Sequence, residues 1–407
     1  MGAIAKNAAS LVAGRVLAKA VWVVVTFQVA RHLGKGPLGA YAYAMAYVVF
    51  FEALATLGLH FLLQRECAAR PAEAPALLGR ALALWTRVAV ACPVLVLLPS
   101  WLLGDPAETT KGIAAASIGL LLWSLGSIYN AVLVAQERMG RVAAIEAVTS
   151  LVRAGLCMGA ILLDGSIIAF LACYTLAHAV FYVASWASCP VRPVRPTAAD
   201  LAPLFRQALP FALMILASGI YFRADVFILM RLRSPEETGI YEAAWRPVNE
   251  IMTLGQLVAS SFFPRLAALF TSDVEGYRRT ARTALRAMLL LGVPAAAIGS
   301  FFAEPLIRVC YGAEYAASAE VLRIVALGVA AYFPACALTY AIVASGRTWF
   351  WTALLGGKAA VSIALHLLLV PRFGAFGTGT AMLASDLLAT AACAVAWFVL
   401  APRVPRG

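Results

Sequence analysis

Six basic side chains lie deepest inside stretches of sequence that are otherwise apolar: Arg15, Lys19, Arg153, Arg223, Arg246 and Lys358, while Arg87 lies close enough to an end to snorkel. The acids weighed against them are Glu52, Asp225, Glu250 and Asp386. A charge in hydrocarbon costs about 2.5–3.5 kcal/mol on insertion scales, so such residues are kept for a reason. Base outnumbers acid, and a cavity lined this way would attract a pyrophosphate, a uronic acid or another anionic group. Arginine grips phosphate with two parallel hydrogen bonds, while lysine acts as a point charge. The four acids are candidate sites for a coupling proton or sodium ion, although a salt bridge is the plainer role for any one of them. Glu242, Arg246 and Glu250 recur every four residues and share one helix face, as an ion-pair ladder or a polar wall.

These charges need a scaffold that can hold them in lipid. The chain has 407 residues, of which 63% are hydrophobic and only 13% charged, with a mean hydropathy of +0.86. A water-soluble fold of this length carries roughly 25% charged residues. It could not cover so much apolar surface. Apolar runs span 9–30, 39–62, 81–103, 112–135, 142–163 and 166–186, then 208–230, 239–263, 281–302, 321–344, 349–370 and 375–400. Each is close to the roughly 20 residues that one membrane-crossing helix needs. Helices are required because an open sheet edge has no partners in lipid. The expected fold is all-α and integral to the membrane, with about twelve transmembrane helices in two parallel six-helix bundles. The bundles are 1–188 and 207–407, joined by a Pro/Arg-rich linker over 189–206. Trp101, Tyr241, Trp349 and Trp351 sit near run ends and read as interfacial anchors. His178 and His366 read as polar contacts between helices.

The formal charge of +12 does not point to nucleic acid, because the bases cluster in short gaps between apolar runs. Arg65, Arg70, Arg138, Arg141, Arg278 and Arg279 fall on one side, and the gaps on the other side hold fewer. The positive-inside rule then puts both termini in the cytoplasm. The first apolar run is interrupted by Arg15 and Lys19, unlike a cleavable signal. Eight cysteines are scattered without a Cys-x-x-Cys pair, so no disulfide framework or metal site is expected. No phosphate-binding loop, nucleophile elbow or HExxH motif occurs. No catalytic residues and no cofactor are expected, beyond a proton or sodium gradient as the energy source.

A repeat is visible. Phe27, Arg31, Gly39, Tyr41 and Ala44 recur 200 positions later as Phe227, Arg231, Gly239, Tyr241 and Ala244. Both copies follow an odd-numbered helix, so the repeat is parallel, about an axis along the membrane normal. Transporters built this way commonly bind substrate near the midplane, at the repeat interface.

Several segments resemble a known family. Tyr221-Phe-Arg223-Ala-Asp225, Thr238-Gly239-Ile-Tyr241-Glu-Ala-Ala244 and Ser261-Phe-Phe-Pro264 look like the seventh and eighth helices of bacterial polysaccharide flippases. Tyr311-Gly312-Ala-Glu314-Tyr315, Val370-Pro371-Arg-Phe-Gly374 and Ala30-Arg31-His-Leu-Gly34 fit as well. The chain is similar, from about residue 5 to residue 395, to the Wzx-type O-antigen and exopolysaccharide flippases. These belong to the multidrug/oligosaccharidyl-lipid/polysaccharide exporter superfamily, which is MATE-like. It departs where His366 replaces a usual Asn, and in its short loops.

The resemblance implies a multi-pass protein of the bacterial inner membrane. It implies translocation of undecaprenyl-pyrophosphate-linked oligosaccharide repeat units for O-antigen, lipopolysaccharide or exopolysaccharide synthesis. Alternating access coupled to an ion gradient is implied too, with Arg15, Lys19, Arg153, Arg223, Arg246 and Lys358 lining the lumen. Polysaccharide polymerase and assembly proteins are candidate partners. The alternatives are a multidrug or small-solute antiporter of the same superfamily, whose cationic cargo would favour acids, and a membrane-embedded glycan polymerase or acyltransferase, which would need a long outer loop. A lipid II flippase would be expected to carry two further helices.

Overall fold

The computed structural model describes residues 21–196 and 201–400, and among these the chain is helical with no strand. Arg15 and Lys19 lie outside the described residues. The described part of α1 is Val21–Leu33. It is followed by α2 (Lys35–Thr56), α3 (Leu59–Ala69), α4 (Ala74–Leu102), α5 (Ala107–Ala135), α6 (Met139–Leu162) and α7 (Ile167–Ser188). Then come α8 (Leu201–Leu232), α9 (Pro235–Ser261), α10 (Phe263–Ser272), α11 (Val274–Phe301), α12 (Ala303–Cys310), α13 (Ser318–Ala344) and α14 (Thr348–Leu400). The apolar runs from 81–103 onward each fall essentially on one helix, the last two on the two arms of α14, whereas run 39–62 is split between α2 and α3. The chain divides into two compact units, Met1–Arg223 and Ala224–Gly407.

In the first unit, α5 is the buried centre and packs against α2, α3, α4 and α7. Its glycines face α7. A Cβ on Gly112, Gly119 or Gly126 would come within 2.6–2.7 Å of Leu171, Tyr174 or Phe181. Small residues at such a contact let two helix backbones approach closely, which is how packing binds helices in lipid. α2 stops at Thr56 because Leu57 (φ 48°) and Gly58 (φ 67°) turn left-handed. The backbone then resumes as α3, and Leu57, Leu59, Leu62 and Leu63 join a core with Leu77, Leu78, Tyr129 and Leu204. The polar stretch after α7 is tied to this unit: the Val194 N–H donates to the Pro75 carbonyl at 3.0 Å.

In the second unit, α13 is the buried centre, with α9, α11 and α14 around it. α14 is broken at Gly374, whose φ of 53° and ψ of −130° are not helical. The break is caught by a carboxylate. Glu237 accepts from the Ala375 N–H at 2.8 Å and from Arg233 Nε at 2.8 Å. Arg233 also donates to the Pro371 carbonyl at 3.2 Å. An interrupted helix leaves backbone groups without partners, and here side chains supply them. A Cβ at Gly374 would run into the Glu237 carboxylate, and its conformation is one that L-residues avoid at about 1–3 kcal/mol. Gly374→Ala is therefore expected to lower the melting temperature of the purified protein, whereas Gly356→Ala, in open space on the same helix, should not.

Nine helices among the described residues are long and apolar enough to cross a membrane, one of them the 47-residue stretch Ala353–Val399 that spans the break. α9, which carries Glu236, Glu237, Glu242, Arg246 and Glu250, is not among these. Large apolar side chains lie on the outside: Leu163 is 84% exposed, Phe398 82% and Val90 80%. Outward-facing leucine and phenylalanine at this density mark a surface solvated by lipid. The protein is an all-helical, multi-pass membrane protein.

The repeat is visible in local structure. α2 begins at Lys35 after Gly34, and α9 begins at Pro235 after Ser234. Tyr41, Ala44, Tyr241 and Ala244 are all buried. The copies part company further on, because α9 continues past Gly255 while α2 ends before Gly58.

Candidate functional site

In the first unit the polar residues gather on α2, α6 and α7. Arg153 of α6 lays its guanidinium over the Trp22 ring, with Cζ 3.7 Å from the centroid. Tyr174 of α7 lies within electrostatic reach of Glu52, Arg153 and Tyr41. One turn along, the His178 ring is 4.1 Å from that of Tyr174, and its Nδ1 bonds to the Tyr174 carbonyl at 2.8 Å. His178 thus bonds its own helix through Nδ1 while standing in the field of Arg153 on α6. A planar, permanently charged guanidinium suits this place because one face can stack while its edge donates.

In the second unit, Asp225 of α8 is buried. It accepts from the Tyr241 hydroxyl at 2.5 Å and from the Val226 N–H at 2.7 Å. Tyr241 is 0% exposed, so it is not the interfacial anchor its position near a run end suggested. Its counterpart in the internal repeat, Tyr41, is buried as well. Trp101 is exposed, as an anchor should be. The side chains of Trp349 and Trp351 lie outside the described ones. Tyr241→Phe removes a buried donor to a carboxylate. It should destabilise the protein by about 1–3 kcal/mol, read as a lower denaturation midpoint.

The stripe on α9 forms its first rung. Arg246 Nε donates to Glu242 Oε1 at 3.0 Å, with Glu242 2% exposed; Glu250, one turn on, is half-buried. Tyr311 and Tyr315, in the bend between α12 and α13, stand with rings 5.5 Å apart, in the field of Arg246. Burial pushes both phenols above their ordinary range, with Arg246 pulling the other way. They stay neutral at physiological pH.

Lys358 and Asp386, on the two arms of α14, form a buried pair in which the ammonium donates to Oδ1. Lys358 Nζ also stands 5.5 Å from the Tyr332 ring centroid. His366 is 2% exposed. Its Nδ1 bonds to the Ser362 carbonyl at 2.6 Å, within its own helix and not between helices as expected. Arg223 is half-buried on α8, at the end of the first unit. Arg153, Arg246 and Lys358 thus each stand against an aromatic ring or an acid; the Glu242–Arg246 rung is readable from its spacing, and the partners of Arg153 and Lys358 are not. Among the described residues, no three of His, Cys, Asp and Glu converge as metal ligands.

A family model described as polysaccharide biosynthesis protein matches residues 28–320. No curated protein matches the chain in sequence. Among solved structures, the chain is similar to the lipid II flippase MurJ in an inward closed conformation. The TM-score is 0.80 and the identity 15%, covering 96% of this chain and 87% of that one. It is also similar to an inward-facing multidrug resistance MATE transporter, with TM-score 0.73 and 15% identity over 94% of this chain and 92% of that one. A transporter of the same superfamily from Pyrococcus furiosus, noted for the reverse polarity of its binding pocket, has TM-score 0.64 and 14% identity, covering 94% of each chain. At such identities the likeness is one of fold.

Proposed function

Because this chain belongs to the polysaccharide biosynthesis protein family, we propose that it moves an undecaprenyl-pyrophosphate-linked oligosaccharide from the cytoplasmic to the periplasmic leaflet of the bacterial inner membrane. The observation that carries this reading is the family match over residues 28–320. The likeness to a lipid II flippase supports it, since that fold accommodates a lipid-linked glycan. The product would feed O-antigen, lipopolysaccharide or exopolysaccharide assembly, and a polysaccharide polymerase would consume it.

The physical problem is that sugar hydroxyls and phosphates cannot cross hydrocarbon unsolvated; each unpaired polar group costs several kcal/mol. A path of fixed polar groups removes that cost. In this reading Arg153, Arg246 and Lys358 meet the pyrophosphate, with Arg15, Lys19 and Arg223 as further cations. Glu52, Asp225, Glu250 and Asp386 are the acids that would couple transport to a proton or sodium gradient. The chain would cross the membrane twelve times with both termini in the cytoplasm, and would work by alternating access.

A second reading, export of small solutes, rests on the likeness to a multidrug transporter. In the sequence, the six deep bases outnumber the four acids weighed against them, which disfavours a cationic cargo. Deleting the gene and analysing undecaprenyl-linked glycans separates the two. The flippase reading expects repeat units to accumulate while still linked to lipid on the cytoplasmic face. Unchanged glycan with altered drug sensitivity would favour the antiporter.

A further inference from the structure

The Lys358–Asp386 pair is layered. The lysine side chain is 10% exposed and the aspartate 1%, so a solute that reaches the pair meets the ammonium first. Behind it, Asp386 Oδ1 accepts from Lys358 Nζ, and Oδ2 has no hydrogen-bond partner among the described residues. The wall at Oδ2 is bare: a Cβ on Gly328 of α13 would lie 3.1 Å from it, with the Met252 methyl of α9 nearby. The titratable neighbours are Tyr332 beside Lys358, Cys336 on α13 and Cys393 further along α14. None of the three is a cation. Lys358 is the one cation acting on the carboxylate among the described residues.

A buried carboxylate with one unfilled oxygen and one counter-charge has two stable conditions: ionised with the ammonium in place, or protonated without it. Resting on the flippase reading, we propose that Lys358 and Asp386 form an anion–proton exchange site for the lipid-linked pyrophosphate. A phosphate oxygen draws the Lys358 ammonium outward. The Nζ–H···Oδ1 hydrogen bond breaks and an Nζ–H···O–P bond replaces it. Asp386 then takes one proton from hydronium that enters with the anion, forming an O–H bond and releasing water, so the ammonium is balanced by one phosphate charge and the carboxyl is neutral. When the anion leaves, the ammonium returns and the proton departs. The site therefore holds one more proton with the anion bound than without it. Of the two charges of a pyrophosphate diester, one is left to be drawn outward by an inside-negative potential.

The test uses the full-length protein in detergent and undecaprenyl pyrophosphate bearing one N-acetylhexosamine, a diester whose charge is constant near neutral pH. Binding that takes up one proton weakens about tenfold per pH unit as pH rises. The infrared difference spectrum should gain a protonated-carboxyl band. In Asp386→Asn, an isosteric variant with no carboxyl to titrate, binding should be independent of pH and the band absent. Wild-type binding that is flat with pH and shows no band would overturn the exchange site while leaving the flippase reading intact. No binding of this lipid by the wild type at any pH would overturn both.

Discussion

Lys358→Met is expected to destabilise the C-terminal unit by about 3–5 kcal/mol, because it strands a buried carboxylate without its counter-charge. Asp386 is 1% exposed, so in the resting fold water does not replace the lost ammonium. For a unit of this size the loss corresponds to a fall in melting temperature of about 10 °C. The informative comparison is the double variant Lys358→Met with Asp386→Leu. A buried pair replaced by apolar groups of similar volume is often as stable as the original, so the double variant should recover most of the loss. It should nevertheless export poorly, since the ammonium that meets the anion at this site and the carboxylate behind it are both gone. Equal melting temperatures for the single and double variants would show that the pair is not the source of the instability. Full export by the double variant would show that it has no part in transport.

Arg153→Lys is expected to reduce export at least tenfold with little change in protein level. The charge is kept, but the flat guanidinium that stacks 3.7 Å above the Trp22 ring is lost. Partly desolvated cation–π contacts are worth about 2 kcal/mol, and lysine cannot stack while donating from its edge. Trp22→Phe, which keeps a weaker aromatic face, should fall between the two. Export by Arg153→Lys at the wild-type level would mean that the charge alone matters. Export by Arg153→Ala at that level would remove Arg153 from the path altogether.

Much of the scaffold is written in composition and period. Runs of about 20 apolar residues can only be helices in lipid, and from 81–103 onward each falls essentially on one, while run 39–62 is broken at Leu57 and Gly58. The turn between the first two helices of each repeat falls at corresponding positions, Gly34 and Ser234, as the recurrence of Phe27 through Ala44 implies. The pairings were less legible, because a helix face is readable from spacing but its neighbour is not. Glu242 and Arg246 are four apart and were expected on one face. Lys358 and Asp386 are far apart in sequence and meet because Gly374 breaks the helix between them. That break is anchored by Glu237, whose role depends on a backbone N–H at Ala375 and leaves no trace in hydropathy. Tyr241 misled because proximity to a run end suggests an interface. The buried carboxylate of Asp225, which it serves, can be seen only in three dimensions.

Transport of a lipid-linked oligosaccharide is the central claim, and reconstitution tests it most directly. The purified protein is placed in liposomes carrying an undecaprenyl-pyrophosphate-linked oligosaccharide in the inner leaflet, and the sugar exposed on the outer leaflet is followed with an impermeant glycosidase. The flippase reading predicts that the sugar becomes accessible with wild-type protein, and far more slowly with Arg153→Ala or with empty liposomes. Accessibility that matches protein-free liposomes, from a preparation that is folded and membrane-inserted, would contradict it.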